Sequence, residues 1–159
     1  MQQHRGRQRA VLLGGIMAWS IVLVACIRQT VLYSYQPVDG GWQASDTIRF
    51  HIDSIPANDK YTFTIGLRYT DRYPYQDIWL ALQICTPTAS RTDTIHTRLL
   101  ETEPRLMEKG VLMHETETYT KTYLLTKGHN IDIAIYSLMN DALLEGITDV
   151  GLKVEQDEH

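Results

Sequence analysis

The chain has 159 residues, 43% of them hydrophobic, with 15 basic against 19 acidic side chains and a formal charge of −4 with His neutral. That length is enough for one domain with a sizeable core and argues against a second. The acidic balance argues against a nucleic-acid surface and against attraction to an anionic membrane.

The N-terminal segment is basic and then apolar. His4, Arg5, Arg7 and Arg9 precede an uncharged run from Ala10 to Ile27. That run is long enough for a marginal single transmembrane helix, so a retained helix and a cleaved signal both stand as readings, with a plain secretory signal behind them. Gly14, Gly15 and Ser20 weaken a permanent helix, whereas Leu23-Val24-Ala25-Cys26 meets the demands of a bacterial lipobox. Leu stands three residues before the cysteine and a small residue stands just before it. The expectation is cleavage after Ala25 and two attachments at Cys26: a diacylglyceryl group on the thiol and an acyl chain on the freed amine. At ~0.8 kcal/mol per buried CH₂, two or more chains make a stable anchor where one does not. These covalent lipids are the only non-protein groups expected. On either reading the rest of the chain lies outside the cytoplasm.

The expected division is a signal at 1–25, a lipidated cysteine with a short tether at 26–36, and one folded domain at 37–159. Cleavage removes three of the 15 basic residues and none of the 19 acidic ones, which leaves 12 against 19 and a net charge of −7. Cys85 is then alone, without a disulfide partner in the domain, and its apolar surroundings suggest a buried strand cysteine. The tether, Ile27 to Gln36, has no long Gly/Ser stretch and leaves room for a first strand at Thr30 to Tyr35. The folded part should therefore sit close to the membrane.

Beyond the turn signal Asp39-Gly40-Gly41, Trp42 is expected as a core or edge anchor. Thr47 to Ile52 alternates, with Ile48, Phe50 and Ile52 on one face and Arg49 and His51 on the other. Tyr61 to Tyr69 alternates more strongly, with Tyr61, Phe63, Ile65, Leu67 and Tyr69 in register. After the loop Thr70 to Gln76, the run Ile78 to Ile84 reads as a central strand, and the two are expected to pair as a long hairpin. Thr94 to Leu100 is a weaker strand. Val111-Leu112-Met113 reads as a short edge strand, Thr118 to Leu125 as a further one, and Ile131 to Tyr136 as a clear alternation. Asn140 to Gly146 suggests one helical turn closed by the glycine. Asp149 to Glu155 forms the last strand, with Val150, Leu152 and Val154 inward, and Gln156 to His159 should fray.

About eight short strands, a Thr/Ile/Tyr-rich composition and almost no helix predict an all-β chain, an antiparallel β-sandwich of jelly-roll or immunoglobulin-like type. Strand order does not follow from alternation.

Motifs for catalysis are missing: there is no Gly-rich phosphate loop, HExxH, GxSxG or CxxC. His51, His96, His114, His129 and His159 are scattered without ligand spacing, so no metal site and no enzymatic activity are expected. One constellation rises above this background. Arg68, Asp71, Tyr73, Tyr75 and Asp77 crowd into or beside one loop between the two best strands. Tyr and Arg offer large contact area at low entropic cost, which suits a protein partner, and the rings suit stacking on a sugar equally well. The plainer reading is that Tyr73 and Tyr75 fold over the sandwich end while Asp71 and Asp77 satisfy loop amides.

Around this loop, Leu67-Arg68-Tyr69 and Tyr73-Pro74-Tyr75-Gln76-Asp77-Ile78-Trp79-Leu80 resemble the gliding motility lipoprotein GldH family of Bacteroidota. Tyr35, Val38, Trp42 and Asp46 agree in order near the start. Met139, Asp141, Leu144, Gly146, Ile147, Asp149, Val150, Gly151, Leu152 and Glu155 agree near the end. The chain departs from the pattern at Asn140, where an Arg is usual, and at Arg105 to Gly110, which lacks a Gly/Trp pattern. The resemblance implies a lipid-anchored, non-enzymatic envelope component of the gliding apparatus, linked to type IX secretion, with other gliding or secretion lipoproteins and envelope proteins as partners. The lack of an acidic run after Cys26 favours the periplasmic face of the outer membrane. A glycan-binding sandwich using Trp42, Tyr73, Tyr75 or Trp79 is the alternative.

Overall fold

A computed structural model describes residues 29–99, 105–106 and 112–157. Eleven strands form among them: β1 (Thr30–Pro37), β2 (Trp42–Gln43), β3 (Thr47–Ile52), β4 (Asp59–Thr70), β5 (Asp77–Cys85), β6 (Ser90–Arg98), β7 (Arg105–Leu106), β8 (Leu112–Leu125), β9 (Ile131–Ser137), β10 (Leu143–Leu144) and β11 (Ile147–Gln156). β2, β7 and β10 are two-residue ladders; the other eight match the expected number.

Antiparallel pairing runs β1 with β11, β3 with β9, β4 with β8, and β5 with β6. The chain is thus one long ribbon folded back at the β5–β6 turn. Two further ladders, β11 with β4 and β9 with β5, roll that ribbon into a five-stranded sheet, β1-β11-β4-β8-β7, facing a four-stranded sheet, β3-β9-β5-β6. This is jelly-roll strand order, which decides between the two sandwich types.

The alternation seen in the sequence builds the core between the sheets. Tyr61, Phe63, Ile65 and Leu67 from β4 and Val150, Leu152 and Val154 from β11 meet Leu80 and Leu82 from β5 and Ile133 and Ile135 from β9. Trp42 is fully buried, and its Nε1 donates to the Asp46 carbonyl at 3.1 Å. On the open side of the sandwich, Asp93 of β6 accepts from the Tyr123 hydroxyl of β8 at 2.6 Å and pairs with Lys121 at 3.1 Å.

Several expectations change. β4 and β5 do not form a hairpin. Both edges of β4 are taken by β8 and β11, so the chain leaves it at Thr70 and crosses to the other sheet, and residues 71–76 are an inter-sheet corner. Residues 140–146 hold no helical turn, because β10 pairs with β2 instead and Gly146 sits at φ +86° in the tight turn into β11. The two readings around Met113 and Tyr123 merge into the single strand β8. The later part of the expected tether is β1, which joins the sheet from Thr30. Gln156 does not fray: its backbone N–H donates to the Gln29 carbonyl at 2.9 Å and its side chain to Asp59 at 2.6 Å. Cys85 is only half-buried, with its Sγ 3.2 Å from Ser90 Oγ. Residues 1–28, with the lipobox and Cys26, and the 107–111 segment lie outside the described residues, as does His159.

Candidate functional site

Every long strand runs between the same two ends of the sandwich. β1 begins at one end and finishes at the other, where the 38–46 turn, the 71–76 corner and the 138–146 connection meet. Call these the proximal and distal ends, by distance from Cys26 along the chain.

The structure sorts the five sequence-derived site residues into different roles. Tyr73 belongs to the core: it is 7% exposed, lies edge-on to Tyr69 and Tyr75, and donates its hydroxyl to the Asp77 carbonyl at 2.8 Å. Burial, with the nearby Asp77 carboxylate second, pushes that hydroxyl well above the ordinary tyrosine range, so it stays a donor. Tyr75 keeps 39% exposure and donates to Asp141 Oδ2 at 2.7 Å, which ties the corner to the 138–146 connection. That bond to Asp141 raises the Tyr75 hydroxyl above its usual value. Asp71 Oδ1 lies 2.9 Å from His114 Nε2, and Asp77 Oδ2 lies 2.7 Å from His96 Nε2. Both carboxylates therefore meet histidines rather than the loop amides anticipated for them.

Arg68 is not part of this corner. It projects from the outer face of the five-stranded sheet, its guanidinium 4.0 Å above the Tyr35 ring and its Nε donating to Glu115 Oε2 at 3.3 Å. The Tyr35 ring lies across Gly151 and Gly66, which face each other in the β11–β4 ladder. A Cβ at either glycine would collide with it. The Tyr35 hydroxyl reaches Glu115 Oε1 at 3.1 Å, and burial followed by that carboxylate pushes it well above the ordinary range. Tyrosine on paired glycines is thus a lock across four strands.

Residues not singled out with the loop complete its surroundings. Trp79, 41% exposed, stacks flat on His96 at 4.1 Å with an interplanar angle of 7°. Leu138 is half exposed, and its N–H donates to the Trp79 carbonyl at 2.9 Å. The distal end therefore presents Tyr75, Trp79 and Leu138 with Asp71, Asp77 and Asp141 around them. The directly opposed pair of Trp79 and His96 needed the β5–β6 register, which alternation does not supply. Beside the corner, a cleft of about 370 Å³ opens between Gly40, Gly41, Thr70 and Gly146, with Arg72 and Glu145 as its charged groups. Among the described residues no group of three His, Cys, Asp or Glu side chains could hold a metal ion.

Two antiparallel sheets rolled in jelly-roll order, with a stitched aromatic corner at one end, define the class: a β-sandwich domain. The chain belongs to the GldH lipoprotein family, which residues 30–154 match. The gliding motility lipoprotein GldH of Flavobacterium johnsoniae is 26% identical over 152 residues, covering 90% of this chain and 95% of that one. The family resemblance carried by the Tyr73–Asp77 region and the last strand is therefore correct. Two solved structures show weak likeness. The Eiger TNF of S. frugiperda has a TM-score of 0.37 at 12% identity, over 83% of this chain and 90% of that one. A family 35 carbohydrate binding module from Clostridium thermocellum has a TM-score of 0.35 at 10% identity, over 80% and 95%.

Proposed function

We propose that this chain is a non-enzymatic assembly component of the gliding apparatus and its associated type IX secretion. On this reading it is anchored through lipidated Cys26 at the periplasmic face of the outer membrane, and its distal corner engages another gliding or secretion lipoprotein or envelope protein. Family membership supports the setting. The observation that carries the docking role is that Tyr75, Trp79, Leu138 and Leu143, four large side chains at the end remote from the start of β1, are each left about 40% exposed. Such anchors ringed by polar groups are where interface energy concentrates.

The test is a crosslinked pull-down of the full-length protein from envelopes, run beside Tyr75→Ala/Trp79→Ala and Cys26→Ala variants. Tyr73 is left alone because its loss would disturb the core. Envelope proteins captured by the native chain, and lost from the double variant at an unchanged melting temperature, support the reading. Equal capture by both would remove the corner from the interface. Glycan-array binding with no protein captured would favour the sugar-binding alternative, for which the flat, half-exposed Trp79 ring is the natural platform.

A further inference from the structure

The polarity of the sandwich carries a consequence for how it meets the membrane. Gln29 is already clamped, since its carbonyl accepts the Gln156 N–H at 2.9 Å. Only Ile27 and Arg28 separate it from Cys26. Three residue steps span roughly 10 Å at full extension, so an anchor at Cys26 leaves the start of β1 no freedom to stand far off the lipid. The neighbouring elements share that height. Thr30 pairs with Glu155, Gln156 with Tyr61, and Lys60 with Leu124, so the beginnings of β1 and β4 and the ends of β11 and β8 form one rim. Leu124 stands on this rim, 79% exposed, more than any other large hydrophobic side chain among the described residues. With a strand spacing of ~4.8 Å it lies three strands, or roughly 15 Å, from β1. Lys60 faces it across the ladder and Lys127 follows in the next turn, while Asp53 and Asp157 offset them. Charge therefore does not draw this rim to an anionic surface, but an apolar side chain held at lipid height needs no such attraction.

We propose that the proximal rim, with the turns at 53–58, 86–89 and 126–130, rests on the phospholipid surface and that Leu124 enters its interfacial layer. The 12 residues of β4 then hold the distal corner roughly 40 Å out from the bilayer. The inference rests on the anchor reading of Cys26 and adds an orientation to it.

Tryptophan fluorescence reads this orientation directly, because Trp42 and Trp79, the tryptophans downstream of Cys26, both lie toward the distal end. Full-length protein purified from envelopes is reconstituted into phosphatidylethanolamine/phosphatidylglycerol vesicles carrying brominated acyl chains, alongside Leu124→Trp, Tyr33→Trp and Tyr75→Trp variants. Comparison with the unsubstituted protein cancels any signal from Trp19. The expected result is that bromolipid removes about half or more of the emission added by Leu124→Trp, also at raised salt, and leaves that added by Tyr75→Trp intact. Quenching of Tyr33→Trp instead would mean that the domain lies on the outer face of its five-stranded sheet and would overturn the proposal. Quenching of Tyr75→Trp would invert it. Vesicle-bound protein with no variant quenched would refute the seat alone, whereas protein that fails to float with the vesicles would refute the anchor as well.

Discussion

The two ends of the sandwich close in different ways, and a pair of glycines shows it. Gly128 at the proximal end and Gly146 at the distal end both sit at positive φ, +79° and +86°. A Cβ on Gly128 would meet nothing within 4 Å, whereas one on Gly146 would run into the backbone of Tyr73. At the proximal end the 126–130 turn is bonded to the 53–58 turn, with Ile55 N–H to the His129 carbonyl at 3.0 Å and Gly128 N–H to the Ile55 carbonyl at 2.8 Å, but the space beside Gly128 stays open. The distal end is a three-way junction in which the 71–76 corner, β2 and the turn into β11 depend on one another, through Thr70 N–H to the Gly146 carbonyl at 2.8 Å among other bonds. Both ends are bonded across turns, but only the distal junction is packed so closely that an added methyl has nowhere to go.

The largest expected effect breaks this comparison at its sharpest point. Gly146→Ala adds backbone strain and a backbone collision, and should cost about 3 kcal/mol or more, while Gly128→Ala carries strain alone and should cost about 1 kcal/mol. Thermal unfolding of the two variants side by side would read this as a melting-temperature loss several times larger for Gly146. Next comes the pair of tyrosines in the corner. Tyr73→Phe leaves the Asp77 carbonyl without its buried donor and should lose about 1 to 2 kcal/mol, against less than about 0.5 kcal/mol for the exposed Tyr75→Phe. Equal losses in urea titrations would show that Tyr73 is not the core member of the pair.

A smaller effect, about 1 kcal/mol, is expected for Gly66→Ala on the outer face. The added methyl lifts the Tyr35 ring and releases its contacts to Arg68 and Glu115, without touching the core side of β4. The smallest is a pH dependence at Asp93. Burial favours its neutral form, but hydrogen bonds from Tyr123, Arg91 and Lys121 outweigh burial and hold its carboxyl below the usual range. A folded value below the unfolded one contributes stability above about pH 4, and that contribution is lost as pH falls through the lowered value. Asp93→Asn should therefore flatten the acid limb of a stability-versus-pH curve while leaving the corner intact.

Much of the fold was legible before the structure. β3 falls where the alternation of Ile48, Phe50 and Ile52 put it, and the inward sets of β4 and β11 are those expected. Alternation reports which face of a strand is buried, so it succeeds wherever one face meets a core. Its silence on edges explains the main error. β4 and β5 are both central strands with a six-residue link, and nothing in their pattern distinguishes a hairpin from a crossing between sheets. The site followed the same rule. Tyr73 folds in over the sandwich end while Tyr75 beside it stays partly exposed, and Arg68 points to a different surface, because loop direction and strand face decide where a side chain ends.

The sequence by itself determined the all-β character, the faces of the strands and the family, since each is written in local periodicity or short motifs. Only the tertiary structure decided that the ribbon rolls into a jelly roll, that Trp79 meets His96, that Tyr35 finds room on Gly66 and Gly151, and that the aromatic corner lies at the far end from the start of β1. Those facts depend on which strand edges meet across the chain, a matter of non-local hydrogen bonding and sheet packing that no window of neighbouring residues contains.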